Sequence, residues 1–296
     1  MSPNSFQIEM GLQIVGYPAL AASLGLVVAR LLPAGSRGRA AALVLAAAAG
    51  LLTSHLGLAG KPPWPPVDSM GWIPIATGAT ALALVLAALL VPRRAMAIVI
   101  GGVLALAMLT AIYYAGRPTF LRSFDRYYAL AGLATGGVLA GAGLLPAAGV
   151  RSLRPGPWVA WIVVAAGLAG CTLWSHSALL AMLLGSAAVT AGVLGIGGAI
   201  LGVRDIGAAP AGLFLVHLAS TAVYAHLYAK LPAWVLATGL LAVLAPIAVA
   251  VAMGGRRRYV AAAVGLAVAA GLTGVAAQRM HAQDAAEAKD ASSMYY

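Results

Sequence analysis

A single cysteine, Cys171, and seven acidic residues are all that this chain of 296 residues holds of those two classes. One cysteine excludes an internal disulfide and any Cys-paired metal or haem-attachment motif. Cys171 lies near the end of a long apolar run, where packing is its expected role. None of the seven carboxylates falls inside a long apolar stretch. That absence argues against a carboxylate-based proton or sodium relay, because a membrane-buried acid is costly and is kept where it works. The chain also lacks a phosphate-binding glycine loop, HExxH, GxSxG and paired metal ligands at helical spacing. Nothing in these absences favours an enzyme.

Apolar residues, by contrast, make up 62% of the chain and charged ones 8%. A soluble domain cannot hide that much apolar surface, whereas a bilayer takes it up. A helix needs roughly 20 apolar residues to cross the hydrocarbon layer. Ten segments meet that need: Gly11–Leu32, Ala40–Gly60, Trp72–Val91, Ala95–Gly116, Tyr127–Val150, Pro157–Trp174, Ser177–Gly202, Pro210–Ala229, Pro232–Met253 and Tyr259–Ala277. Continuous runs require helices, since a barrel strand would alternate over about ten residues. The expected fold is therefore an all-α, polytopic transmembrane helical bundle of about ten spans. Residues 1–277 form one transmembrane domain, and 278–296 a polar, flexible tail.

Charge orients the bundle. One set of gaps holds Arg30, Arg37, Arg39, Arg93, Arg94, Arg151, Arg154, Arg204, Arg256, Arg257 and Arg258, eleven positives beside the single acid Asp205. The alternate gaps hold seven positives, Lys61, Arg117, Arg122, Arg126, Lys230, Arg279 and Lys289, beside six acids. The positive-inside rule puts the first set in the cytoplasm and both termini outside. Richness in Ala, Gly and Arg suggests a bacterial source, hence a multi-pass protein of the cell inner membrane. The net charge of +11 sits at span ends rather than on a soluble face, so nucleic acid is not an expected partner.

Polar side chains gather toward the outer half. His217, Ser220, Thr221, Tyr224 and Tyr228 fall at i, i+3, i+4, i+7 and i+11, one helical stripe roughly 100° wide. Thr110, Tyr113, Tyr114 and Arg117 repeat the spacing at the end of the fourth span, while Thr53, Ser54 and His55 end the second and Ser175 and His176 end the sixth. Interfacial preference explains most of the aromatics, and Ser and Thr can bond their own backbone. A mid-span imidazole needs a partner, so His217 is the centre of the expected site.

One outer loop departs from the charge rule. Residues 117–126 carry Arg117, Arg122 and Arg126, with Phe120, Leu121 and Phe124 on an apolar edge. An interfacial helix fits that pattern, and arginine forks suit phosphate or carboxylate, so lipid headgroups or an anionic solute are the expected contacts. The preceding outer loop is stiffened by Pro62, Pro63, Pro65 and Pro66 around Trp64, a docking candidate for an extracytoplasmic protein partner.

Three repeats of Ala-Thr-Gly, at Ala76, Ala134 and Ala237, are read as chance in an Ala- and Gly-rich chain. Glycines four apart, including Gly132 and Gly136, Gly137 and Gly141, and Gly198 and Gly202, predict close helix approach. The favoured function is a small-solute or lipid transporter with an outward-facing polar cleft bound by His217, Thr221, Tyr224, Tyr113, Arg117, Arg122 and Arg126. A non-catalytic subunit docking through Trp64, or an outer-leaflet enzyme on an anionic or lipid-linked substrate, are the alternatives. No cofactor is expected, although haem ligation stays open to His55, His176 and His226.

Overall fold

The computed structural model describes residues 3–62, 64–66, 70–92, 95–116, 155–175, 177–203 and 206–252, with scattered helical positions beyond 266. The described chain is helical, with no β-strand among the described residues. The fifth expected span, Tyr127–Val150, and the arginine loop 117–126 lie outside the described residues, and the tenth span is described only at scattered positions.

Helix α1 runs over Pro3–Gly11, passes through a π turn at Leu12–Gly16 and continues over Tyr17–Leu31. The π turn has a local cause. Pro18 has no N–H to give to the carbonyl four residues back, Ile14, and its ring would strike that carbonyl in a regular α-helix. Widening the preceding turn relieves both. The sequence places the start of this span at Gly11, because Asn4, Gln7 and Glu9 break its apolar run; the helix begins a further two turns upstream.

After α1 come α2 (Arg37–Ala59), α3 (Trp72–Leu90) and α4 (Met96–Gly116). Ser36 caps α2 by accepting a hydrogen bond from the Arg39 amide at 3.1 Å. Gly60 ends it with φ of 76°, a left-handed conformation that glycine takes without a Cβ clash. The Arg37 guanidinium, at the start of α2, donates to the Leu89 carbonyl in the last turn of α3 at 2.9 Å. A cation on a helix C-terminus is favourable. This bond also puts the turn after α1 and the turn after α3 at the same end of the bundle, as antiparallel neighbours require.

Then follow α5 (Pro155–Trp174) and α6, the latter made of Ala178–Gly192, a second π turn at Val193–Gly197, and Gly198–Ile200. Gly202 (φ 72°) terminates α6 in a Schellman arrangement: the Val203 amide donates to Gly198 at 2.7 Å and the Gly202 amide to Ala199 at 3.2 Å. The remaining helices are α7 (Ala208–Tyr228) and α8 (Ala233–Ala252).

Among the described residues, six helical segments are long and apolar enough to cross a membrane, those centred on α1, α2, α3, α5, α6 and α7. Their apolar exteriors are consistent with a membrane protein: Leu20, Leu24, Val28 and Leu31 stand exposed along α1, and Leu82 and Leu90 on α3. Helix α7 is the axis. Every residue from Pro210 to Ala225 is buried. Around it stand α2, α3, α4, α5, α6 and α8.

Small residues set the closest approaches. A Cβ on Gly25 would lie 2.5 Å from the Ala46 Cβ and 2.6 Å from its Cα, and one on Gly50 would lie 2.7 Å from the Thr190 hydroxyl. Close backbone contact of this kind is how membrane helices gain packing when lipid is as apolar as leucine. The glycine pair expected to act this way in α6 does something else. Gly198 packs against Ile206 of the following turn, and Gly202 ends the helix.

Candidate functional site

Buried hydroxyls and imidazoles in a membrane-spanning bundle must find partners inside the protein, since lipid offers none. Helix α7 brings His217 to the middle of its length, buried to 1% exposure. Across from it, α3 presents Thr77, whose Oγ1 lies 3.0 Å from His217 Nδ1. The same Thr77 hydroxyl donates to the Ile73 carbonyl one turn back at 2.8 Å. His55, near the end of α2, is equally buried, on a helix that packs against α7. Three helices thus bring polar side chains, two of them imidazoles, into the interior of the bundle.

A second polar link lies beside it. Ser54, the neighbour of His55, donates to the Ser186 hydroxyl of α6, and Ser186 donates in turn to the Leu183 carbonyl at 2.8 Å. Thr190, one turn further along α6, donates to the Ser186 carbonyl at 3.0 Å. Together the cluster ties α2, α3, α6 and α7 around a polar interior.

The predicted stripe on α7 divides. Ser220 and Thr221 direct their hydroxyls to the His217 carbonyl, at 3.0 and 2.8 Å, and so turn onto their own helix. Tyr224 is buried and stacks on Tyr228 with ring centroids 4.3 Å apart. Tyr228 reaches the surface at the helix end. Tyr113, on α4, is 52% exposed. His217 and Thr221 are therefore brought together, with Tyr224 one turn on, while Tyr113 faces outward. Arg117, Arg122, Arg126 and His176 lie outside the described residues.

Of the other histidines, His226 contacts the Leu231 carbonyl through Nδ1, closing the turn between α7 and α8 with the Leu231 amide bonded to Ala225 at 3.2 Å. Its ring fastens a turn. Among the described residues no three His, Cys, Asp or Glu side chains converge as metal ligands would. Trp64 stands 80% exposed in the proline loop.

Sequence reasoning passed over two features. Thr77 was visible as the hydroxyl of the Ala76-Thr77-Gly78 repeat, yet nothing in its spacing names His217 as its partner. The other is aromatic. Trp158 and Trp161 of α5 enclose Phe214 of α7, one turn from His217, with centroids 5.7 and 5.8 Å from the Phe214 ring. Trp161 also donates to the Val243 carbonyl of α8 at 3.0 Å. This aromatic cluster lies on the side of His217 opposite Tyr224 along α7.

Comparison with known protein families, with curated proteins and with solved structures finds no match to this chain.

Proposed function

We propose that the chain is a multi-pass membrane protein that carries a small solute or a lipid through its bundle, with the His217, Thr77 and His55 cluster as the polar step on the path. The observation that carries this reading is a pair of imidazoles buried in the central helix and its neighbour, where lipid-facing packing alone would be filled by aliphatic side chains. Ordinary stabilisation is a poor reason to keep them, because buried polar groups are costly unless fully satisfied. The aromatic cluster of Trp158, Trp161 and Phe214 on one side, and the tyrosine-bearing end of α7 on the other, support a path open toward the tyrosine end. In this reading that end, and both termini, face out of a bacterial cytoplasm, and Arg117, Arg122 and Arg126 hold anionic headgroups beside the opening.

Proteoliposomes test it directly. Uptake of a panel of labelled polar solutes, and scrambling of a fluorescent phospholipid, are measured for the intact chain and for His217→Ala. Flux through the intact chain that His217→Ala abolishes, with the variant still monodisperse, is the expected result. Undiminished flux in the variant removes the cluster from the path.

A second reading, a non-catalytic subunit docking a protein at the outer face, draws on the exposed Trp64. It predicts that crosslinking in native membranes captures one partner, and that Trp64→Ala loses it.

A further inference from the structure

The two contacts of Thr77 fix the state of His217. A threonine hydroxyl has one proton to give and two lone pairs to receive. The Thr77 proton goes to the Ile73 carbonyl at 2.8 Å, completing the common i−4 bond of a membrane-helix threonine. Its oxygen at 3.0 Å from His217 Nδ1 is then an acceptor, and the ring nitrogen facing it must carry the hydrogen. In a neutral imidazole with Nδ1 protonated, Nε2 is a bare lone pair. That atom is fully buried and has no hydrogen-bond partner among the described residues. The opposite assignment would bury an Nε2–H donor without an acceptor, and orphaned N–H groups are rarer in proteins than under-used acceptors.

The arrangement matches one used at binding sites, where one ring nitrogen is anchored so that the other is aimed at a ligand. The ligand must bring a hydrogen to Nε2. It must also be uncharged, because among the described residues no carboxylate is buried to balance a cation.

We propose that His217 Nε2 is the docking atom for a small, uncharged hydrogen-bond donor, of the class of water, urea and glycerol, held between α2, α3 and α7, with Thr77 as the residue that positions the ring. This rests on the transport reading and specifies its substrate class.

Solid-state NMR on protein with nitrogen-15 in its histidines, in lipid nanodiscs, tests the site independently of flux. His217 is identified by its loss in His217→Gln. The expected spectrum has Nδ1 protonated and Nε2 bare, with Nε2 either in contact with water by cross-peak or displaced on adding urea or glycerol. Thr77→Val releases the ring into a mixture of tautomers, and Thr77→Ser restores the single one. A proton on Nε2 in the intact chain, or an Nε2 signal that sees neither water nor either probe, overturns the proposal.

Stopped-flow light scattering on proteoliposomes, for water, urea and glycerol, supplies the second arm. His217→Leu, which carries no acceptor, slows the responsive probe about tenfold, the loss of one hydrogen bond of about 1.4 kcal/mol. Binding at Nε2 with no flux of any probe overturns the transport reading and leaves the site standing. Flux that bypasses an unresponsive Nε2 overturns the site and leaves transport standing.

Discussion

Replacing Gly25 with alanine adds one methyl group where the backbones of α1 and α2 approach closely. The new Cβ would lie 2.5 Å from the Ala46 Cβ, 2.6 Å from its Cα and 3.1 Å from its amide nitrogen. Unstrained carbon contacts begin at about 3.5 Å, so α1 and α2 must separate by roughly 1 Å. No flexible side chain can yield instead, because two of the three atoms struck are backbone. A gap of that size forfeits a quarter to a half of each van der Waals contact along the seam. Overpacking of this kind costs about 1–3 kcal/mol, which in a domain of this size lowers the unfolding temperature by roughly 2–5 °C. Thermal unfolding in detergent, followed by size-exclusion chromatography of a fluorescent fusion, reads the shift. The control is Gly101→Ala on α4, where an added Cβ meets nothing within 4 Å. There the better helix propensity of alanine should stabilise by about 0.5–1 kcal/mol. If Gly25→Ala is as stable as Gly101→Ala, the close approach of α1 and α2 is wrong.

Two further expectations follow from named bonds. Ser54→Ala and Ser186→Ala, combined in a double-mutant cycle, should show a coupling of about 0.6 kcal/mol and not above about 1.7, the range of hydrogen bonds between membrane helices; additive effects would mean the serines do not pair. Ser36→Ala should cost about 1 kcal/mol by leaving the Arg39 amide uncapped, whereas Ser36→Asp should keep full stability in the same unfolding assay.

Much of the fold was legible because apolar length is a coarse and robust signal. Each expected span that falls on described residues meets a helix, and Gly60 and Gly202 end two of them where the apolar runs end. Helix α1 begins upstream of the apolar run that starts at Gly11, because a helix can continue through polar residues such as the exposed Gln7 and Glu9, and apolar length does not see that extension.

The candidate site was half legible. His217 stood out because an imidazole in mid-span needs a partner, and helical spacing carried Ser220 and Thr221 along with it. Spacing says only that side chains share a face. It does not say that both hydroxyls bend back to the His217 carbonyl, nor that the partner is Thr77, 140 residues away on another helix. Such pairings are set by helix rotation and depth, which depend on the whole bundle.

The enclosure of α7 has a consequence for how the chain is made. Of the six apolar helices it is the least hydropathic, and its buried face is its entire circumference from Pro210 to Ala225. Left alone in lipid, such a segment partitions weakly, with His217, Ser220 and Thr221 all turned toward hydrocarbon. Its walls on α2, α3, α4, α5 and α6 all precede it in the sequence and so emerge from the ribosome first. Synthesis order builds the socket before the plug arrives.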